Sequence, residues 1–90
     1  MIKYTYPAVF TPEKEGGYSV DFPDVPGCYT CGDSLEDAIY MAEDALALML
    51  HGYEQEKRAI PIPSNPDDLT VKKNEFVKNV IACPKTDTAR

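Results

Sequence analysis

Between Ile2 and Phe10 the residues Ile2, Tyr4, Tyr6, Ala8 and Phe10 alternate with Lys3, Thr5, Pro7 and Val9, the two-residue period of a half-buried strand. Pro7 has no N–H to give to a ladder, so that part of the strand is expected at an edge, a bulge or a non-bonded position. The polar run Glu13-Lys14-Glu15-Gly16-Gly17 ends in a glycine pair able to adopt positive φ and reads as a hairpin connection. A second strand follows, with Tyr18, Val20 and Phe22 on one side and Ser19 and Asp21 on the other. Pro23-Asp24-Val25-Pro26-Gly27 breaks the ladder, and Cys28–Cys31 supplies a short third strand. The three strands are predicted to be antiparallel.

The period then becomes helical. Ser34 can accept an N–H from the first turn, and Asp37 provides the carboxylate of a capping box. Leu35, Ala38, Ile39, Ala42, Ala45, Leu46, Met49 and Leu50 fall on one face at 100° per residue and form the expected core stripe. Gly52 sits where a C′ glycine would stop such a helix, which predicts about 17 residues. Ile60–Pro66 is proline-rich and should cross back in extended or turn conformation. Asn74–Cys83, with Phe76, Val77, Val80 and Ile81, returns to strand character until Pro84. A strand, crossover helix and strand in one sheet predict a last strand parallel to and beside the first, giving sheet order 3-2-1-4 in an α+β domain. One domain over residues 1–83 and a polar tail over 84–90 are expected.

Charge adds a second pattern. Fifteen acids oppose nine bases for a net charge of −6, which repels phosphate backbones and makes direct nucleic-acid binding by this domain unexpected. Residues 1–56 hold eleven acids and two bases, residues 57–90 four acids and seven bases. An acidic chain favours a basic partner. The outward side of the helix carries Glu36, Asp37, Tyr40, Glu43, Asp44, Ala47, Leu48 and His51. It reads either as a solvated face whose early acids complement the helix dipole or as a partner surface. Asp21 and Asp24, at the end of strand two, form a competing acidic patch. No apolar run approaches the roughly 18 residues of a membrane span, and no signal-peptide pattern opens the chain, so a cytoplasmic protein is expected.

Candidate chemistry is sparse. Cys28-x-x-Cys31 has redox or zinc spacing, but residues three apart in a strand point to opposite faces, and a zinc site would have to recruit Cys83 and His51 as well. Reduced, structural thiols are expected, with neither metal nor cofactor. His51, the single histidine, falls in the last predicted helical turn and suits a dipole-capping role. Nucleophile elbows, phosphate-cradling loops and HExxH are absent. The predicted topology is half of a ribonuclease H layout, yet Asp21 is the one acid in strands one to three, too few for a two-metal nuclease site.

Tyr6-Pro7-Ala8-Val9-Phe10, the run Gly16–Cys28 and Gly32-Asp33-Ser34-Leu35-Glu36-Asp37-Ala38 together closely resemble the HicB antitoxin family. The resemblance covers roughly residues 3–65, and Ile60–Ser64 and Glu75–Ala82 are similar to the family's proline-rich return and final strand. It implies a partial ribonuclease H-like fold and a non-enzymatic antitoxin that blocks the active site of a small basic HicA-type toxin, an mRNA-cleaving ribonuclease. Family members commonly add a C-terminal DNA-binding segment, and none is recognised before Arg90. Glu36, Tyr40, Glu43, Asp44 and Leu48 on the helix, with Asp21 and Asp24 as the competing patch, are the expected partner-binding residues; these come from the helical wheel and the charge pattern. The alternatives are a solitary oligomerisation module without a toxin and a metal-dependent nuclease of this fold. Exposed sheet edges and a small core favour at least a dimer.

Overall fold

The computed structural model describes residues 3–82. Four strands, β1 (Tyr4–Pro12), β2 (Tyr18–Asp21), β3 (Tyr29–Gly32) and β4 (Phe76–Ala82), form one sheet in the order β3-β2-β1-β4. A single helix, α1 (Leu35–Gln55), covers one face, and a 3-10 turn at Pro66–Asp68 lies in the return segment. The alternation in β1 places Tyr6, Ala8 and Phe10 in the core, joined by Val20, Phe22, Val25 and Cys28 from the sheet side and by Ala38, Ala42, Leu46 and Leu50 from the helix. Burial of each large member of this set contributes about 1.5–3 kcal/mol. Phe10 also stacks on Phe76 at 5.2 Å between ring centres.

Every neighbouring pair in the sheet is antiparallel, including β1 with β4, where Tyr4 opposes Ala82 and Phe10 opposes Phe76. The expected parallel last strand is thus corrected, while its place beside β1 stands. The reason lies in the connection. The 21-residue helix spans about 31 Å at 1.5 Å per residue, enough to cross the sheet once. The extended segment that follows crosses it a second time, so β4 enters from the end opposite to the one a simple crossover would use.

The helix end is the second correction. Gly52 lies inside α1, which runs to Gln55, and the left-handed residue is Lys57 at φ 57°. The Arg58 N–H donates to the Tyr53 carbonyl at 2.9 Å and the Lys57 N–H to that of Glu54 at 3.1 Å, the paired bonds of a Schellman stop built without glycine. The extra turn buries Tyr53, with the Arg58 guanidinium 4.2 Å from its ring centre. His51 therefore stands before the last turn, which holds no basic residue, and the dipole-capping role is lost. Leu35 is also corrected: the first helical residue is exposed, because the stripe meets the sheet only from Ala38 onward.

The N-terminus of α1 follows the sequence closely. Ser34 Oγ accepts the Asp37 N–H at 3.1 Å, and the Asp37 carboxylate accepts the Asp33 N–H at 3.0 Å. Just before it, Gly32 permits a contact no side chain would: a Cβ there would overlap the backbone of Ala38. Pro7 is buried in β1, beyond the Val9–Pro12 stretch that pairs with β2. There β1 has no bonded neighbour on the β2 side, in keeping with its missing N–H.

Candidate functional site: the acidic helix and its surroundings

Helix α1 carries five carboxylates, Glu36, Asp37, Glu43, Asp44 and Glu54, and no lysine or arginine. Glu36, Glu43 and Asp44 are exposed. Among the described residues the ion pair present is Arg58–Glu56 at 3.5 Å, beyond the end of the helix, so these acids project an uncompensated negative field. Tyr40 stands among them, 66% exposed, with an aromatic face that can be desolvated by a partner. Glu54 extends the acidic surface by one turn, past Gly52 where the helix was expected to stop. It accepts the Tyr4 hydroxyl at 3.0 Å, and this bond raises the Tyr4 phenol above its ordinary value.

The structure divides the remaining expected residues. Leu48 turns toward the sheet edge and lines a groove with Gly27, Tyr29, Ala45 and Met49, bordering the acidic face rather than centring it. Asp24 is committed to the fold: its carboxylate accepts the Ser64 N–H at 2.8 Å and hydroxyl at 2.6 Å, fastening the proline-rich return to the β2–β3 loop. Nearby, the Tyr6 hydroxyl donates to the Pro61 carbonyl at 2.5 Å, and burial pushes its phenol up. Asp21 is exposed on the uncovered face of the sheet, where it opposes Val9 and Tyr29 in the ladder. Asp21 and Asp24 therefore point to different parts of the surface and do not form one patch.

The cysteines separate as strand geometry requires. Cys28 is buried under the helix and Cys31 is exposed, opposite Ser19 on the uncovered face. Burial, reinforced by Asp21, pushes the Cys28 thiol up to about 11, which makes it a poor nucleophile near neutral pH. Among the described residues no three His, Cys, Asp or Glu side chains come together in a way that could hold a metal ion. No helix in that range is long and apolar enough to cross a membrane.

Layout and surface define a small α+β domain of partial ribonuclease H-like topology whose most developed face is a carboxylate-bearing helix. The model of the HicB-like antitoxin of bacterial toxin–antitoxin systems matches residues 6–90, and the chain belongs to that family. It is 45% identical over 58 residues to antitoxin HicB 1 of Photorhabdus laumondii, a match covering 64% of this chain and 37% of that protein. With antitoxin HicB of Escherichia coli K12 it shares 41% identity over 59 residues, 66% of this chain and 43% of the relative. The matches thus span about two-fifths of the length of these curated relatives. Among solved structures, a toxin–antitoxin complex from Streptococcus pneumoniae superposes with a TM-score of 0.83 at 20% identity, covering 99% of this chain and 81% of that one. A HicA3–HicB3 toxin–antitoxin complex gives 0.71 at 28% identity over 90% of this chain and 100% of that one.

Proposed function

We propose that this domain is the inhibitory part of an antitoxin: a cytoplasmic protein that binds a small basic HicA-type ribonuclease and covers its active site, with no turnover of its own. The observation that carries this reading is the helix with five carboxylates and no lysine or arginine, in a chain of the HicB-like antitoxin family. An enzyme that binds RNA must present cations to phosphates, and the same cations are attracted to Glu36, Glu43 and Asp44. Complementary fields of this kind raise association rates and disfavour wrong partners. Affinity then depends on a desolvated anchor, and Tyr40 occupies that position.

The test is to coexpress the chain with the product of the adjacent open reading frame and to measure RNA cleavage by that product as the chain is titrated. One equivalent of wild type should abolish cleavage. The triple change Glu36→Lys, Glu43→Lys, Asp44→Lys should slow association by about tenfold or more at low salt, with the difference shrinking as salt rises. Unchanged inhibition by the triple variant would reject this face, and failure of wild type to inhibit would reject the function.

A further inference from the structure

The proline-rich return holds one apolar side chain away from the fold. Ile62 is 86% exposed, the most exposed large apolar residue among those described, while Ile60, earlier in the same segment, packs against the core. A single exposed apolar side chain is ordinary on a protein surface. What is particular to Ile62 is that the backbone is fastened on either side of it. The Pro61 carbonyl accepts the hydroxyl of Tyr6, a fully buried residue of β1, and Ser64 gives both its N–H and its hydroxyl to the Asp24 carboxylate. Pro61 and Pro63 each fix φ beside it as well. The segment Pro61–Ser64 is thus held at both ends, and the ordering that a binding partner would otherwise have to impose on it is already in place.

We infer that Ile62 is a prepositioned apolar anchor for the same cationic partner, an inference that rests on the proposed function and adds to it a contact beyond the acidic helix. The occupant follows from what the anchor adjoins. Glu36, Glu43, Ala47 and Glu54 lie close to one line along α1 at 100° per residue, and this line ends where Glu54 accepts the Tyr4 hydroxyl. The Tyr4 and Tyr6 ring centres are 6.5 Å apart, and Tyr6 in turn holds Pro61. One ring pair and two hydrogen bonds therefore join the last carboxylate of the helix to the residue before Ile62. A second copy, of net charge −6, would meet like charge at Glu54, whereas a partner whose cations run along the helix reaches the return with the surface beyond them. The two contacts differ in kind. Carboxylates act over a distance and set the rate of encounter. An apolar side chain acts only once water is expelled around it, and so sets the rate of escape. The matching site on the partner is a pocket for a branched aliphatic side chain beside its basic surface.

Stopped-flow association and dissociation of the full chain with the product of the adjacent open reading frame test this. Ile62→Ala should leave association within about twofold of wild type and speed dissociation about tenfold, at low and high salt alike. Its Tm should not change, because so exposed a side chain packs against little of the fold. Tyr6→Phe combined with Ser64→Ala keeps Ile62 but releases the backbone beside it, and should weaken binding about threefold or more. Ile81→Ala, at an exposed apolar position in β4, should change neither rate. Unaltered binding by Ile62→Ala or by the double variant, a loss that vanishes as salt rises, or an equal loss in Ile81→Ala would overturn the inference. So would an Ile62→Ala chain that dissociates like wild type and is impaired only in self-association. In each of these cases inhibition by wild type leaves the proposed function standing, whereas failure of wild type to bind rejects both.

Discussion

Replacing Gly52 with alanine gives opposite results for the two possible ends of α1. In the structure Gly52 is three residues inside the helix, and a Cβ added there meets nothing within 4 Å outside the helix's own backbone. Glycine in a helix interior costs about 0.8–1.0 kcal/mol relative to alanine, and no clash subtracts from that gain. For a domain of this size, 1 kcal/mol corresponds to roughly 4–8 °C in Tm, so Gly52→Ala should melt several degrees higher. Were Gly52 the left-handed stop suggested by the sequence pattern, alanine would instead cost about 1–2 kcal/mol and lower Tm by a similar or larger margin. The assay is thermal unfolding followed by circular dichroism at one fixed protein concentration, because self-association itself shifts Tm. Lys57→Gly is the companion measurement: the true left-handed position should tolerate or gain from glycine. A lower Tm for Gly52→Ala would refute the observed helix end.

Gly32→Ala should destabilise by about 3 kcal/mol or more, since the new methyl would overlap the Ala38 backbone and a helix start cannot yield as a side chain can; urea unfolding reads it directly. Leu46→Ala, at a fully buried site facing the sheet, should cost about 2–5 kcal/mol in the same assay. The Cys28 thiol, ordinarily 9.0, is raised to about 11 in the fold. Its contribution to stability is therefore intact below pH 9.0 and is lost as pH rises toward 11, because the unfolded chain releases that proton first. Cys28→Ala should flatten the alkaline fall in Tm over that window. In Cys83→Ser protein, a disulfide reagent at pH 8 should modify Cys31 rapidly and Cys28 only after denaturation.

The strands, their order and the helix start were legible because local physics determined them. Tyr4, Tyr6, Ala8 and Phe10 alternate, Gly16 and Gly17 take the positive φ their spacing suggested, and Ser34 caps as a serine before an acidic first turn should. The strand direction of β4 was not legible, since it depends on how far the chain travels between α1 and Phe76, and proline-rich sequence specifies extension without specifying destination. Gly52 misled for a related reason: the bonds that end α1 are closed by Lys57 and Arg58, residues with no intrinsic preference for that role. The acids of the candidate site were readable as a face, but their commitments were not. Asp24 differs from Asp21 only through Ser64, forty residues away in sequence.

These differences assign separate tasks to the sides of one helix. Its core stripe is unusually small where it lies closest to the sheet, Ala38 and Ala42 being fully buried, and Gly32 removes the last obstacle beneath it. Close approach lets a single helix cover a four-stranded sheet and leaves both of its flanks at the surface. One flank gathers carboxylates that no cation among the described residues pairs with, and their mutual repulsion costs stability that a cationic surface would restore. On the other side, Ala45 and Leu48 line a groove with Tyr29 at the β3 edge. A charge reversal on the first flank should therefore slow association with a basic protein, most of all at low salt. Leu48→Glu, which adds negative charge beside that flank rather than reversing it, should not slow association, and stopped-flow rates for the two variants against the same basic protein separate the outcomes.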